Sequence, residues 1–142
     1  MPEADVDHIY DYPKGYIKDI LKSVRTIAMV GASGDKTKFS YGVLRVLHET
    51  GYEMLPVNPN PNIKDIRGLK VFHSLKEIDK PVDMVQVFRR KEELLSVTKE
   101  AIEINAKVLW GQIGVYDDEA ANIATAAGLK VVMNRCPKIE LF

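Results

Sequence analysis

Five apolar runs punctuate the chain, at residues 26–31, 52–57, 82–89, 107–111 and 129–133. Each is continuous rather than alternating, the pattern of a strand buried on both faces, and each adjoins a stretch with helical spacing. Between the first two runs, Val43, Leu44, Val46 and Leu47 share one helical face while Arg45, His48 and Glu49 point elsewhere, and Gly51 supplies the stop. A second helix is predicted over residues 91–105, where Leu94, Val97, Ala101 and Ile104 step by three and four. A third opens on Asp117, Asp118 and Glu119, whose charges complement the helix dipole, and runs through an alanine-rich body to Gly128. Residues 16–24 read as a helix packed outside the sheet, preceded by a polar, frayed tail over residues 1–15. Residues 69–72 read as an edge strand, reached through the turn-rich segment 58–68.

Strand, helix and strand, repeated within short spans, connect by right-handed crossovers into a parallel sheet. The expected fold is therefore α/β, a small doubly wound parallel sheet forming a single domain over residues 16–142. In such sheets ligands bind beyond the carboxyl ends of the strands, where the strand order reverses.

Composition narrows the function classes. The 142 residues are 46% hydrophobic and 28% charged, enough for one core and too few for two. Lys plus Arg equals Asp plus Glu at 20 each, and each half, divided at Val71, lies within about one charge of neutral. No nucleic-acid partner is expected. No apolar run approaches the roughly 20 residues of a membrane helix, and Met1-Pro2-Glu3-Ala4-Asp5 is too polar for a signal peptide, so the expectation is a cytoplasmic protein with no membrane partner. The single Cys136 can form neither an internal disulfide nor a multi-cysteine zinc site. His8, His48 and His73 share no metal-ligand spacing, and no Ser–His–Asp set can be assembled from them.

The chemistry gathers at the predicted strand ends. The first strand runs into Gly31-Ala32-Ser33-Gly34-Asp35-Lys36-Thr37-Lys38-Phe39-Ser40, with a helix beginning near Ser40. This has the form of a phosphate loop: glycine lets a phosphate approach the backbone, and the helix start presents free N–H groups and a favourable dipole. Ser33 stands where a dinucleotide loop needs glycine, and Val57-Asn58-Pro59 lacks the acidic residue that would hold a ribose, which disfavours an NAD(P)-binding oxidoreductase. The Gly-Lys-Ser/Thr of a nucleoside triphosphatase loop is absent. Arg89 and Arg90 precede a helix start, where they oppose its dipole and call for water or an anion. Gln112 lies between small residues that leave its amide accessible, and Trp110 reads as packing. Cys136, between Arg135 and Lys138, is either a reactive thiol or a small buried side chain.

Taken in order, Val30-Gly31-Ala32-Ser33, Ser40-Tyr41-Gly42-Val43, Pro56-Val57-Asn58-Pro59, Val87-Phe88-Arg89-Arg90, Trp110 with Gln112 and Gly114, and Asn134-Arg135-Cys136-Pro137-Lys138-Ile139-Glu140 resemble the small stand-alone CoA-binding proteins. These are single-domain relatives of the CoA-binding domain of the succinyl-CoA synthetase alpha subunit. The resemblance spans residues 16–142 and implies a Rossmann-like fold holding coenzyme A or an acyl-CoA along the strand ends. It implies that Gly31, Ala32 and Ser33 contact the diphosphate, with Lys38 and Ser40 beside it. Asn58 and Pro59 would border the nucleotide, Phe88, Arg89 and Arg90 would face the adenosine and its phosphates, and Gln112 and Gly114 would lie toward the pantetheine. Relatives often carry Arg-Pro where this chain has Lys38-Phe39, which exchanges a fork-shaped phosphate donor for a point charge, and Pro at His73. The synthetase carries its phosphorylated histidine in a further domain, so ligase activity is not expected of a chain ending at Phe142. The implied function is a non-catalytic or regulatory CoA-binding module, one that can act with a partner enzyme subunit; separately, an exposed sheet edge could support a homodimer, which composition neither requires nor excludes. The alternative is an acyl- or thiol-transfer enzyme that uses Cys136.

Overall fold

Alternation along the first strand sets up the layers: Ile27 and Met29 join the core on one face and Ala28 joins the core on the other, all three without solvent exposure. The computed structural model describes residues 11–142. Along it run α1 (Tyr16–Ser23), β1 (Thr26–Val30), α2 (Phe39–Thr50), β2 (Glu53–Val57), β3 (Asp65–Ile66), β4 (Leu69–Lys70), β5 (Met84–Val87), α3 (Leu94–Glu103), β6 (Val108–Gly111), α4 (Asp118–Ala126), β7 (Lys130–Val132) and α5 (Pro137–Leu141). Five strands form one parallel sheet in the order β2-β1-β5-β6-β7. The doubly wound α/β fold expected from the apolar runs is the fold observed.

Helices α1, α2 and α5 cover the face of Ile27, Met29, Met84 and Trp110. Helices α3 and α4 cover the face of Ala28, Val85, Val87 and Leu109. Continuous apolar strands are required because both faces are buried. Gly51 ends α2 in the left-handed conformation expected of a helix stop. Asp117 caps α4, its carboxylate accepting the Ala120 N–H at 2.9 Å.

Three expectations need correction, and one helix was not expected. Residues 69–72 do not form an edge strand of the main sheet: β4 pairs antiparallel with β3, joined by Arg67 and Gly68, both at positive φ, as a tight hairpin turn demands. Of residues 69–72, Phe72 alone bridges to the main sheet, at Val57, while Leu69 and Val71 pack against its core. The helix expected from residue 91 starts as a 3₁₀ turn over Lys91–Glu93 before α3. The short α5 has no counterpart in the periodicity reading, although Pro137 at its first turn is a recognised start signal. Within the tail expected to be frayed, Tyr12 is docked: its phenol accepts the Met133 N–H at 2.7 Å and its ring stacks on Tyr16. Residues 1–10, His8 among them, lie outside the described residues. Among the described residues no helix is long and apolar enough to cross a membrane.

Candidate functional site

Counting only its parallel strands, the sheet has the order 2-1-3-4-5, which reverses direction between β1 and β5. At the carboxyl ends of those two strands lies a cleft of about 840 Å³, within the size range of small-molecule and cofactor sites. Gly31 makes the cleft possible. Its φ is +97°, and a β-carbon there would stand 2.3 Å from the Phe88 carbonyl oxygen, so the β1 loop can cross the end of β5 only as glycine. The Gly31 and Ala32 N–H groups both donate to the Val57 carbonyl, which turns the chain out of the sheet.

Two side chains brace the loop that follows. The Asp35 carboxylate accepts from the Thr37 N–H at 2.9 Å and the Thr37 hydroxyl at 2.7 Å, and these bonds hold its carboxyl below the usual carboxylate range. From the neighbouring strand end, Asn58 Nδ2 donates to the Ala32 carbonyl at 2.8 Å while its Oδ1 accepts the Asn60 N–H. Asn58 thus borders the cleft as a brace of the glycine loop. Beyond the loop, α2 opens on the cleft with no side-chain cap and no acidic residue in its first turn, an arrangement that suits an anion. Lys38 and Ser40 both line the cleft there. Lys36 is exposed and does not.

On the β5 side stand Phe88, Arg89 and Arg90. Phe88 meets Phe39 edge to face, ring centroids 6.2 Å apart, and both rings border the cleft. Arg89 and Arg90 share one carboxylate, that of Glu93. Arg89 Nη2 lies 2.6 Å and Nε 2.8 Å from Glu93 Oε1, and Arg90 Nε lies 3.3 Å from Oε2. The hydrogen bond from Arg89, then its charge and that of Arg90, hold the Glu93 carboxyl below its ordinary range.

The third wall carries Gln112, Ile113, Gly114 and Val115. Gly114 adopts φ +86°, and its N–H donates to Asn134 Oδ1 at 2.6 Å, which ties this wall to the end of β7. Gln112 is buried, and its Oε1 accepts from Gln86 Nε2 at 2.9 Å; Gln112 Nε2 and Gln86 Oε1 have no hydrogen-bond partner. An unpaired buried donor at a cleft wall carries a desolvation cost that a ligand carbonyl would relieve.

Eleven of the twelve residues expected at the site border this one cleft; Pro59 is exposed and stands outside it. Cys136 also lies elsewhere. It packs in the core on the α2 side, 1% exposed, as the residue preceding α5. Trp110 is packing, as read, with its Nε1–H donating to the Arg135 carbonyl at 2.8 Å. Four lining residues escape the sequence reading: Phe39, Glu93, Ile113 and Val115. For Glu93 the signal was present, since it lies four residues after Arg89 and three after Arg90, the spacing of helical ion pairs. No group of three or more His, Cys, Asp or Glu side chains suited to a metal occurs among the described residues.

Comparison with known proteins adds an independent line. A family model described as a CoA binding domain matches residues 25–141. The YneT protein of Bacillus subtilis is 41% identical over 126 residues, covering 89% of this chain and 92% of that one. The alpha subunit of an ADP-forming acetate–CoA ligase II of Pyrococcus furiosus is 28% identical over 129 residues, covering 83% of this chain but only 28% of the subunit. A solved structure of a hypothetical protein from Pyrococcus horikoshii superposes with a TM-score of 0.82 at 35% identity, covering 87% of this chain and 86% of that one.

Proposed function

The chain belongs to the CoA-binding domain family, and on that premise we propose that its cleft holds coenzyme A or an acyl-CoA. The observation that carries the reading is the convergence of a glycine loop, an uncapped helix start and two arginines on one cleft at the strand-order reversal. Coenzyme A carries a diphosphate and a ribose phosphate, and Lys38, Arg89 and Arg90 supply cations for them. Gly31, Ala32 and Ser33 take the diphosphate, Phe88 and the arginines take the adenosine end, and Gln112 with Gly114 takes the pantetheine arm.

Its role is that of a binding module, non-catalytic or regulatory, acting alone or with a partner subunit. Burial of Cys136 outside the cleft supports this over thiol transfer, because a thiol 1% exposed offers no line of attack on a ligand lying on the strand ends. Absence of a carboxylate at the Asn58 position supports coenzyme A over a nicotinamide dinucleotide. Calorimetric titration tests the assignment: saturable binding of coenzyme A, at least about tenfold tighter than NAD, NADP or ATP, is expected, a margin of about 1.4 kcal/mol. Preference for a nicotinamide nucleotide would overturn it.

A further inference from the structure

The cleft already holds an anion of its own. One carboxylate, Glu93, takes the Nε and Nη2 donors of Arg89 and the Nε of Arg90 at 2.6–3.3 Å, and all three residues border the cleft. A carboxylate and a phosphate engage an arginine fork through the same pair of parallel donors, so Glu93 occupies the position that a ligand phosphate would seek. The contact is local. The 3₁₀ turn Lys91–Glu93 follows directly on Arg90, so both arginines are paired with a carboxylate of their own chain segment. The lining supplies three cations, Lys38, Arg89 and Arg90, against the single anion Glu93.

We propose that Glu93 is an internal surrogate for the ligand phosphate, which holds Arg89 and Arg90 in place and competes with the incoming anion for them. It thereby sets both the affinity of the cleft and its tolerance of phosphate charge. The inference rests on the reading of this cleft as a coenzyme A site, and it deepens that reading by naming a residue that opposes binding.

Glu93→Gln keeps the side-chain length and an oxygen to accept from Arg89 while removing the charge. Two probes are titrated, coenzyme A and inorganic pyrophosphate, against the wild type, Glu93→Gln and Glu92→Gln. Glu92 lies outside the cleft, and its substitution changes net charge by the same amount. Expected is a tightening of about tenfold for both probes in Glu93→Gln, the size of one carboxylate–phosphate repulsion across a half-solvated site. The affinity of this variant should also fall more steeply with salt. Glu92→Gln should stay within about twofold of the wild type, since an exposed charge outside the site is largely screened. Unchanged or weaker binding of both probes by Glu93→Gln overturns the proposal, weaker binding meaning that Glu93 supports Arg89 rather than competing with its ligand. Glu93→Ser, read in the same way, guards against a local effect of glutamine on the 3₁₀ turn. Should pyrophosphate bind and coenzyme A fail in every variant, the coenzyme A reading falls, while the pyrophosphate series still decides the role of Glu93.

Discussion

Gly31 bears the tightest constraint of any residue at the site, combining a positive φ with a carbonyl oxygen 2.3 Å from where a β-carbon would stand. Gly31→Ala should therefore destabilise the fold by about 2–4 kcal/mol, the sum of left-handed strain and overpacking, visible as a lowered urea midpoint. An unchanged midpoint would mean that the loop can leave Phe88 without cost. Charge at the residue scale predicts the acid limb. The hydrogen bond from Lys80 lowers the Glu53 carboxyl and those from the arginines lower Glu93. A carboxyl lowered in the folded state stabilises above its unfolded value of about 4.3 and loses that contribution as pH falls through the folded value. Lys80, raised by Glu53, does the reverse: its contribution is present below its unfolded value of about 10.4 and is lost as pH rises through the folded one. The urea midpoint should thus be flat near neutrality, fall below about pH 4, and fall less in Glu53→Gln. A midpoint unchanged on acidification would contradict these pairings. Gly31, Ser33, Lys38 and the arginines were legible because a glycine at a strand end and cations before a helix are anomalies visible in one dimension. Glu93 carried the helical ion-pair spacing to both arginines, but that this pairing falls inside the cleft depends on the 3₁₀ turn that brings it back onto them.

At the scale of elements, each edge of the sheet is attended by neighbouring structure. Along β7, Tyr16 donates its hydroxyl to the Val131 carbonyl at 3.0 Å and accepts the Val131 N–H at 3.1 Å, while Tyr12 takes the Met133 N–H. Along β2, the Phe72 N–H donates to the Pro56 carbonyl and the Phe72 carbonyl accepts the Asn58 N–H, both at 2.9 Å. Side chains and a loop thus meet backbone groups that could otherwise recruit a second sheet. Tyr16→Phe leaves both Val131 groups without this partner and should cost about 1–3 kcal/mol of stability in denaturant unfolding. The Tyr12, Tyr16 double phenylalanine variant should lose more. A Tyr16→Phe variant as stable as the wild type would show that water replaces the phenol freely. The main strands and α1 to α4 were legible because period and burial coincide in them. The β3–β4 hairpin and α5 were not, since two-residue strands and a five-residue helix are too short to show a period. Tyr12 likewise sits in a polar segment whose docking depends on a strand some 120 residues away in the chain.

For the molecule as a whole, the order of the strands converts separate motifs into one site. Residues that follow β1, β2, β5 and β6 meet in the cleft only because β5 lies beside β1, which places the glycine loop against Phe88 and Arg89. Periodicity predicted parallel strands and their approximate limits, and the general rule for doubly wound sheets placed the chemistry at their carboxyl ends. It carried no information on strand order, and so none on which loops meet. Cys136 illustrates the limit: flanking cations left it either a reactive thiol beside the ligand or a small buried side chain, and the approach to α5 decides for the core. Whether this cleft takes coenzyme A is read out by native mass spectrometry of the intact protein, with coenzyme A and NAD added together in equal amounts. Coenzyme A binding in the cleft requires one coenzyme A per chain and little NAD adduct, with the coenzyme A adduct suppressed in Gly31→Ala. An NAD adduct in preference to coenzyme A, or no adduct of either, would contradict it.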